Sequence, residues 1–241
     1  MTTAFTFDDV RLLERIHSVE QLDELLSRPT TELVDAMGRL DGDLILLGAY
    51  GKIGPSLAMM ARRASDAAGV KRRIIGVGRN IPAEMSRKFE QHNIESLRCD
   101  MLDREQLAGL PEAPNVIYLA AMKFGATGQE PLTWAINTYL PGLVCQRYCH
   151  SRIVAYSTGN VYRLSPVDSG GSTEDERLEP VGDYAMSCLG RERIFDHFSR
   201  TLSIPVCLLR LNYAHEVRYG VMVDIAQKIA AGQPIDVTMG Y

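Results

Sequence analysis

Leu44-Ile45-Leu46-Leu47-Gly48-Ala49-Tyr50-Gly51-Lys52-Ile53-Gly54 is the stretch that decides the fold. Four consecutive aliphatic residues run straight into three glycines in a GxxGxxG pattern, and a helical segment, Ser56–Ser65, follows. An unbroken apolar run reads as a strand buried on both faces, the mark of a parallel sheet. A glycine turn between such a strand and a helix suits a pyrophosphate. One glycine permits the tight turn, another lets the backbone approach the anion, and a third lets helix and strand pack closely. Free N–H groups at the helix start then face the anion. The flanking strand and helix separate this pattern from an ordinary glycine-bearing turn. Gly48, Tyr50, Gly51, Lys52, Ile53 and Gly54 are therefore candidate dinucleotide contacts.

Working outward, further apolar runs alternate with helical segments: Ile74–Val77, Ile94–Cys99, Val116–Ala120, Ile153–Ser157 and Val206–Leu211. This alternation predicts an α/β protein with a Rossmann-type doubly wound parallel sheet and helices on both faces. Residues 43–241 form this unit, and residues 1–42 form an N-terminal helical extension. In the extension, Leu12, Leu13 and Ile16 repeat at helical spacing, as do Leu22, Leu25 and Leu26. Ser27-Arg28-Pro29-Thr30 breaks the pattern, and Thr30 or Thr31 can cap a helix running through Leu40. Ser165–Glu179 is polar and glycine-bearing, a surface loop. The last helix is expected at Val221–Ala231, ahead of Pro234-Ile235-Asp236-Val237.

Composition narrows the partners. The 241 residues are 46% hydrophobic and 23% charged, with a net charge of −4, which argues against nucleic acid or an anionic membrane surface. No apolar run approaches the ~20 residues of a membrane helix. The N-terminus lacks the basic-then-apolar order of a secretory signal. Cys145 and Cys149 are four apart on an expected helix and Cys99, Cys188 and Cys207 are scattered; with no metal-ligand spacing, no metal site is expected, and reduced thiols in a cytoplasmic protein are.

The second strand adds cofactor information. In a Rossmann unit it ends in an acidic residue that holds the adenosine ribose 2′-hydroxyl. Here it reads Ile74-Ile75-Gly76-Val77-Gly78-Arg79, with glycine at the acidic position and arginine next. A carboxylate would repel a 2′-phosphate, whereas arginine pairs with one. The sequence thus favours NADP over NAD.

The motifs from residue 43 onward resemble, in order, the extended short-chain dehydrogenases, the NAD(P)-dependent epimerase/dehydratase family. Arg98-Cys99-Asp100-Met101-Leu102-Asp103 stands where family members reach the adenine, which implies Asp100 and Met101 as contacts. Tyr118-Leu119-Ala120-Ala121 resembles the small-residue strand end beside the cofactor, and Lys123 stands where some sugar epimerases place a lysine near the phosphates. Asn137 fits the asparagine that supports the active-site backbone. Ser157-Thr158-Gly159-Asn160-Val161-Tyr162 is similar to the motif carrying the catalytic Ser/Thr, here Thr158, and Tyr184 opens the counterpart of the YxxxK helix. The resemblance implies Tyr184 as acid/base, Thr158 as the group polarising the same oxygen, and Asn137 as support. It also implies a homodimer and a nucleotide sugar or related hydroxylated or keto substrate.

The departure is Cys188, standing where the lysine belongs. In the family that lysine holds the nicotinamide ribose and lowers the tyrosine pKa. Without it, forming tyrosinate from an ordinary phenol at neutral pH costs roughly 4 kcal/mol. Help can come from Lys123, from oxidised nicotinamide, or from Arg191, seven residues past Tyr184 on the same helix face. Ketone reduction needs a protonated tyrosine and alcohol oxidation an ionised one, so the loss favours reduction. A non-catalytic NADP-binding sensor or regulatory pseudoenzyme is the alternative. Cys188 itself reads as a small buried helix residue rather than a nucleophile.

Leu208-Leu209-Arg210-Leu211-Asn212-Tyr213-Ala214 resembles the family's LRxxN turn with one residue fewer, which opens the substrate site. Asn212 and, in the following polar cluster of His215, Glu216, Arg218 and Tyr219, Arg218 are the substrate candidates; the cluster reads equally as a solvated loop. Family members continue past the point where this sequence stops, so the resemblance implies an incomplete substrate region.

Overall fold

The structure is a computed structural model, and it describes residues 16–123, 127–166 and 168–235. Six strands form one parallel sheet: β1 (Leu44–Leu47), β2 (Ile74–Gly78), β3 (Glu95–Arg98), β4 (Asn115–Tyr118), β5 (Arg152–Thr158) and β6 (Val206–Leu211). Their order in space is β3-β2-β1-β4-β5-β6. The chain starts in the middle, winds outward through β3, then crosses back to β4. The reversal lies between β1 and β4, which pair with Leu47 opposite Tyr118. In a doubly wound sheet, ligands bind at the carboxyl ends of the strands at this reversal.

Successive side chains of a strand point to opposite faces. Leu44 and Leu46 pack with Met37, Ala58, Met59 and Phe89 on one side. Ile45 and Leu47 pack with Leu107, Leu143, Val144 and Phe195 on the other. The N-terminal helix α1 (Val19–Leu26) precedes the sheet. The first side is covered by α2 (Thr31–Arg39), α3 (Gly54–Ala67) and α4 (Ala83–Gln91). The second is covered by α5 (Arg104–Ala108), α7 (Leu140–Arg147) and α8 (Gly182–Leu202). A short α6 (Glu130–Trp134) leads through one π-helical turn, Ala135–Tyr139, into α7. At the C-terminal end, α9 (Val221–Ala230) buries no residue, and Met222 and Ile229 stand exposed.

The N-terminal residues Leu12 and Leu13 lie outside the described region. Ile16 does not join a helix; α1 begins only at Val19, with Ser18 as its cap. Thr30, not Thr31, caps α2 by accepting from the Leu33 N–H. The helix after the glycine turn begins at Gly54, two residues before Ser56, because Pro55 in its first turn needs no hydrogen bond there. Residues 163–181 hold no helix or strand among those described, as a polar loop should.

Gly54 fixes how α3 sits on the sheet. A Cβ there would come 2.2 Å from the Ala49 carbonyl oxygen. We expect Gly54→Ala to cost about 3 kcal/mol by overpacking, a fall of roughly 6–12 °C in the thermal midpoint. Calorimetry checks this; an unchanged midpoint would mean that α3 can shift freely.

Candidate active site

The glycine turn sits at the reversal point with Gly51 exposed. Gly48 adopts φ +92°, and a Cβ on it would meet the Ala120 backbone nitrogen at 2.7 Å. The ends of β1 and β4 therefore touch, and Ala120 is nearly buried against the turn. Gly51, by contrast, has only the Gly48 carbonyl within 4 Å of a Cβ, at 3.8 Å. The start of α3 has no side-chain cap and no acidic residue in its first turn. Uncapped N–H groups and the positive end of the helix dipole suit a pyrophosphate. These features fit a dinucleotide.

At the ribose side, Tyr50 explains Gly78. A Cβ on Gly78 would lie 2.5 Å from Tyr50 Cδ2. The Tyr50 ring packs against Phe89 at 5.3 Å, and its hydroxyl is directed at the Gly76 carbonyl, at 3.4 Å. Burial raises its pKa. An aromatic ring thus fills the space from which an acidic side chain would reach a ribose. Arg79 is exposed beside it, and Arg98, paired opposite Gly78 in the sheet, donates to the Arg79 carbonyl at 3.0 Å. Two guanidinium groups border this corner. Asp100 and Met101 follow β3. Met101 is buried in the core, and Asp100 accepts from the Leu102 N–H at 3.1 Å.

Asn137 organises the far side. It is fully buried in the π-helical turn. Its amide exchanges two hydrogen bonds with the Met122 backbone, at 2.9 and 3.0 Å, as a strand neighbour would. Its Nδ2 also donates to Ser187 Oγ at 3.0 Å, and its Oδ1 also accepts from Arg191 Nη2 at 2.7 Å. Both donors and both acceptor lone pairs are used. The segment Ala120–Lys123 is thereby tied to α8. Ser187 passes the link on by donating to the Tyr184 carbonyl at 2.8 Å.

Tyr184 is half-buried on the first turn of α8, with Lys123 Nζ 5.7 Å from its ring centre. Thr158, buried at the end of β5, donates its hydroxyl to Asn160 Oδ1 at 3.0 Å, and its presence beside the phenol lowers the Tyr184 pKa. Burial dominates: with the Cys188 thiol adding to it, the Tyr184 pKa is pushed up to about 12, although Thr158 and Arg191 oppose the rise. Cys188 lies one turn further along, wholly buried, and burial pushes its own pKa up as well. At neutral pH both groups hold their protons.

Glu192, which the motifs did not single out, carries the other half of the framework. It is 4% exposed, accepts from Ser157 Oγ, and holds Arg210 through both carboxylate oxygens. Arg210 also donates to the Tyr162 hydroxyl at 3.1 Å. The Cys188-to-Glu192 interval of four residues puts both on one helix face, a signal present in the sequence. Asn212 leans on the same corner, since a Cβ on Gly159 would fall 1.7 Å from its Oδ1.

Arg218 reaches elsewhere. It bonds Asp23 of α1 at 2.9 Å and pairs with Glu216. Next to it, the Tyr219 hydroxyl donates to the Lys52 carbonyl at 3.3 Å, with Lys52 Nζ over the ring at 4.7 Å. The His215–Tyr219 stretch therefore folds back onto the glycine turn. Ala121 is exposed between Ala120 and Met122. No cluster of potential metal ligands occurs among the described residues. No described helix is long and apolar enough to cross a membrane.

The sequence model of the NAD dependent epimerase/dehydratase family matches residues 44–238. The chain belongs to that family. Among solved structures, it is similar to a UDP-glucuronic acid 4-epimerase from Bacillus cereus in complex with NAD, at TM-score 0.63 and 19% identity over 80% of this chain. A dTDP-glucose 4,6-dehydratase from Bacillus anthracis, also with NAD, gives TM-score 0.64 and 16% identity over 80%. A UDP-Glc/GlcNAc 4-epimerase from Campylobacter jejuni gives 0.62 and 17% over 80%. This chain spans 63%, 62% and 64% of these three proteins. No curated protein matches it.

The Tyr50–Gly78 contact makes a specific expectation. Gly78→Asp lowers the thermal midpoint and leaves NADH affinity no better, whereas Tyr50→Ala/Gly78→Asp regains stability and gains NADH affinity. Thermal scans and fluorescence titration read both; improved NADH binding by the single variant would show that the ring does not block an acid.

Proposed function

We propose that this protein is an NADP-dependent oxidoreductase of the epimerase/dehydratase kind. Its substrate is a nucleotide sugar or a related keto or hydroxylated small molecule, and reduction is its easier direction. The observation that carries this reading is the placement of a protonated Tyr184, in the first turn of α8, beside Thr158 at the carboxyl end of β5. Along the glycine turn the chain would hold NADPH, which would supply the hydride. Gly48, Gly51, Ile53 and Gly54 shape the turn for its pyrophosphate, and Arg79 with Arg98 suits a 2′-phosphate. The Tyr184 hydroxyl gives its proton to the substrate carbonyl oxygen as that oxygen gains charge, and Thr158 donates a hydrogen bond to the same atom. Oxidation would first need tyrosinate. From a pKa of about 12 that costs on the order of 7 kcal/mol at neutral pH.

The cysteine spacing in the sequence supports a reducing, cytoplasmic setting. A homodimer through the groove between α7 and α8, where Tyr139 is half exposed, completes the reading; light scattering tests it. Cys188 favours one second reading, an NADP-binding sensor without turnover.

Two measurements separate these. Fluorescence titration should show NADPH bound about tenfold more tightly than NADH, with Arg79→Ala removing the difference; an NADH preference refutes the NADP assignment. NADPH consumption with UDP-4-keto-sugars as trial substrates should be abolished by Tyr184→Phe with cofactor affinity nearly unchanged. Turnover that survives in this variant means another acid is in use, and cofactor binding with no turnover on any keto substrate favours the sensor.

A further inference from the structure

Arg191 is 3% exposed, and its guanidinium meets only neutral oxygens. Nε and Nη2 donate to the Asn137 carbonyl and Oδ1 at 3.4 and 2.7 Å, and Nη1 donates to the Tyr156 carbonyl at 3.0 Å. Among the described residues no carboxylate pairs with it; the neighbouring Glu192 is engaged by Arg210. A buried charge without a counter-charge is expensive, and arginine cannot escape by losing its proton. A neutral side chain could fill the same volume at lower cost, so its retention calls for a use.

Its surroundings indicate the use. Arg191 lies three residues past Cys188 and seven past Tyr184, on the face of α8 that meets Asn137 and β5. The other titratable groups around this point are Cys188, Tyr184 and Glu192 of α8, Tyr118 of β4, Cys145 of α7 and Lys123 after β4. Tyr118 is fully buried, with its ring centre 5.9 Å from the guanidinium carbon. The tyrosines and cysteines are neutral when protonated, the Glu192 carboxylate is matched by Arg210, and Lys123 is exposed at the cleft. Arg191 is therefore the buried positive charge of the pocket.

We propose that Arg191 is a positioning residue that supplies, from one helical turn further along α8, the positive charge that Cys188 does not. It acts on Tyr184 through this shared pocket and through Asn137. The inference rests on Tyr184 as the proton donor of the proposed function. The small Cys188 leaves the pocket with one cation, and a lysine in its place would bring two like charges within a single turn. A charge at the Cys188 position and a charge at the Arg191 position are thus alternatives.

A double-mutant cycle on the full chain tests this without any substrate, so its failure is distinct from failure of the functional reading. Thermal unfolding is measured for the wild type, Cys188→Lys, Arg191→Met, Arg191→Lys and Cys188→Lys/Arg191→Met. Cys188→Lys and Arg191→Met should each lower the midpoint by roughly 6 °C or more. The double variant should recover at least half of the larger loss. Arg191→Lys should stay nearer the wild type than Arg191→Met does. A pH series adds a charge-specific readout. The amine introduced by Cys188→Lys, buried beside Arg191, has a depressed folded pKa, so the unfolded chain binds more protons and stability rises with pH. Cys188→Lys should therefore gain stability between about pH 6.5 and 9.5 relative to the wild type, and this gain should shrink clearly in the Cys188→Lys/Arg191→Met background, where only burial still depresses the amine. Additive losses in the double variant, Arg191→Lys as damaging as Arg191→Met, or a pH response indifferent to Arg191 would each reduce Arg191 to a structural hydrogen-bond donor and overturn the proposal. A double variant that fails to fold counts as additive loss.

Discussion

The glycine turn works because two Cβ atoms are missing. Gly54 brings α3 against the Ala49 carbonyl, and Gly48 brings β1 against the backbone of Ala120. Everything in the site takes its position from these two approaches. The first aims the uncapped start of α3 at the reversal point of the sheet. The second closes β1 onto β4, so the segment leading to Lys123 begins at a fixed place. Larger residues would separate layers that otherwise share one core, and interiors at crystal-like density do not absorb such gaps.

From that fixed place a second constraint takes over, built of hydrogen bonds rather than absent atoms. Asn137 locks Met122 to α8, and a π-helical turn is the local distortion that carries it there. Such turns sit often at functional sites because they re-aim one side chain within a helix. The network below is fully buried, and partial satisfaction would be costly. Tyr184 and Thr158 consequently face the cleft from elements that cannot drift apart: α8 through Ser187 and Arg191, β5 through Ser157 and Glu192. Two chains of contacts meet under one phenol.

The sheet was legible in the sequence because most strands are apolar runs, and β1 and β6 match theirs residue for residue; β3 is the exception, spanning only Glu95–Arg98 of the expected Ile94–Cys99, with Leu97 its one apolar side chain. Strand ends were less so: β4 stops at Tyr118, since Leu119 and Ala120 bend toward the glycine turn rather than pair with β5. Local motifs also pointed to Tyr184, Thr158 and Asn137, whose surroundings the structure now describes. What local pattern could not convey were contacts between distant segments. Gly78 read as a missing acid, but its cause, the Tyr50 ring, lies on another element, at the end of β1. Arg218 read as a substrate contact by its place after β6, and nothing nearby announced Asp23, 195 residues away. Glu192 was within reach of a periodicity argument, yet its partner Arg210 sits on another element.

Asp23 joins three parts of the chain. Its carboxylate takes Lys88 of α4 on one side and Arg218 on the other, and it is only 10% exposed. Glu24, on the next position of α1, takes Arg63 of α3 as well. The N-terminal helix is therefore fastened at once to two helices of one sheet face and to the stretch that folds back onto the glycine turn. A nearly buried carboxylate has little water to replace a lost cation, so a displacement of that stretch would be felt at α1, at the far end of the sequence.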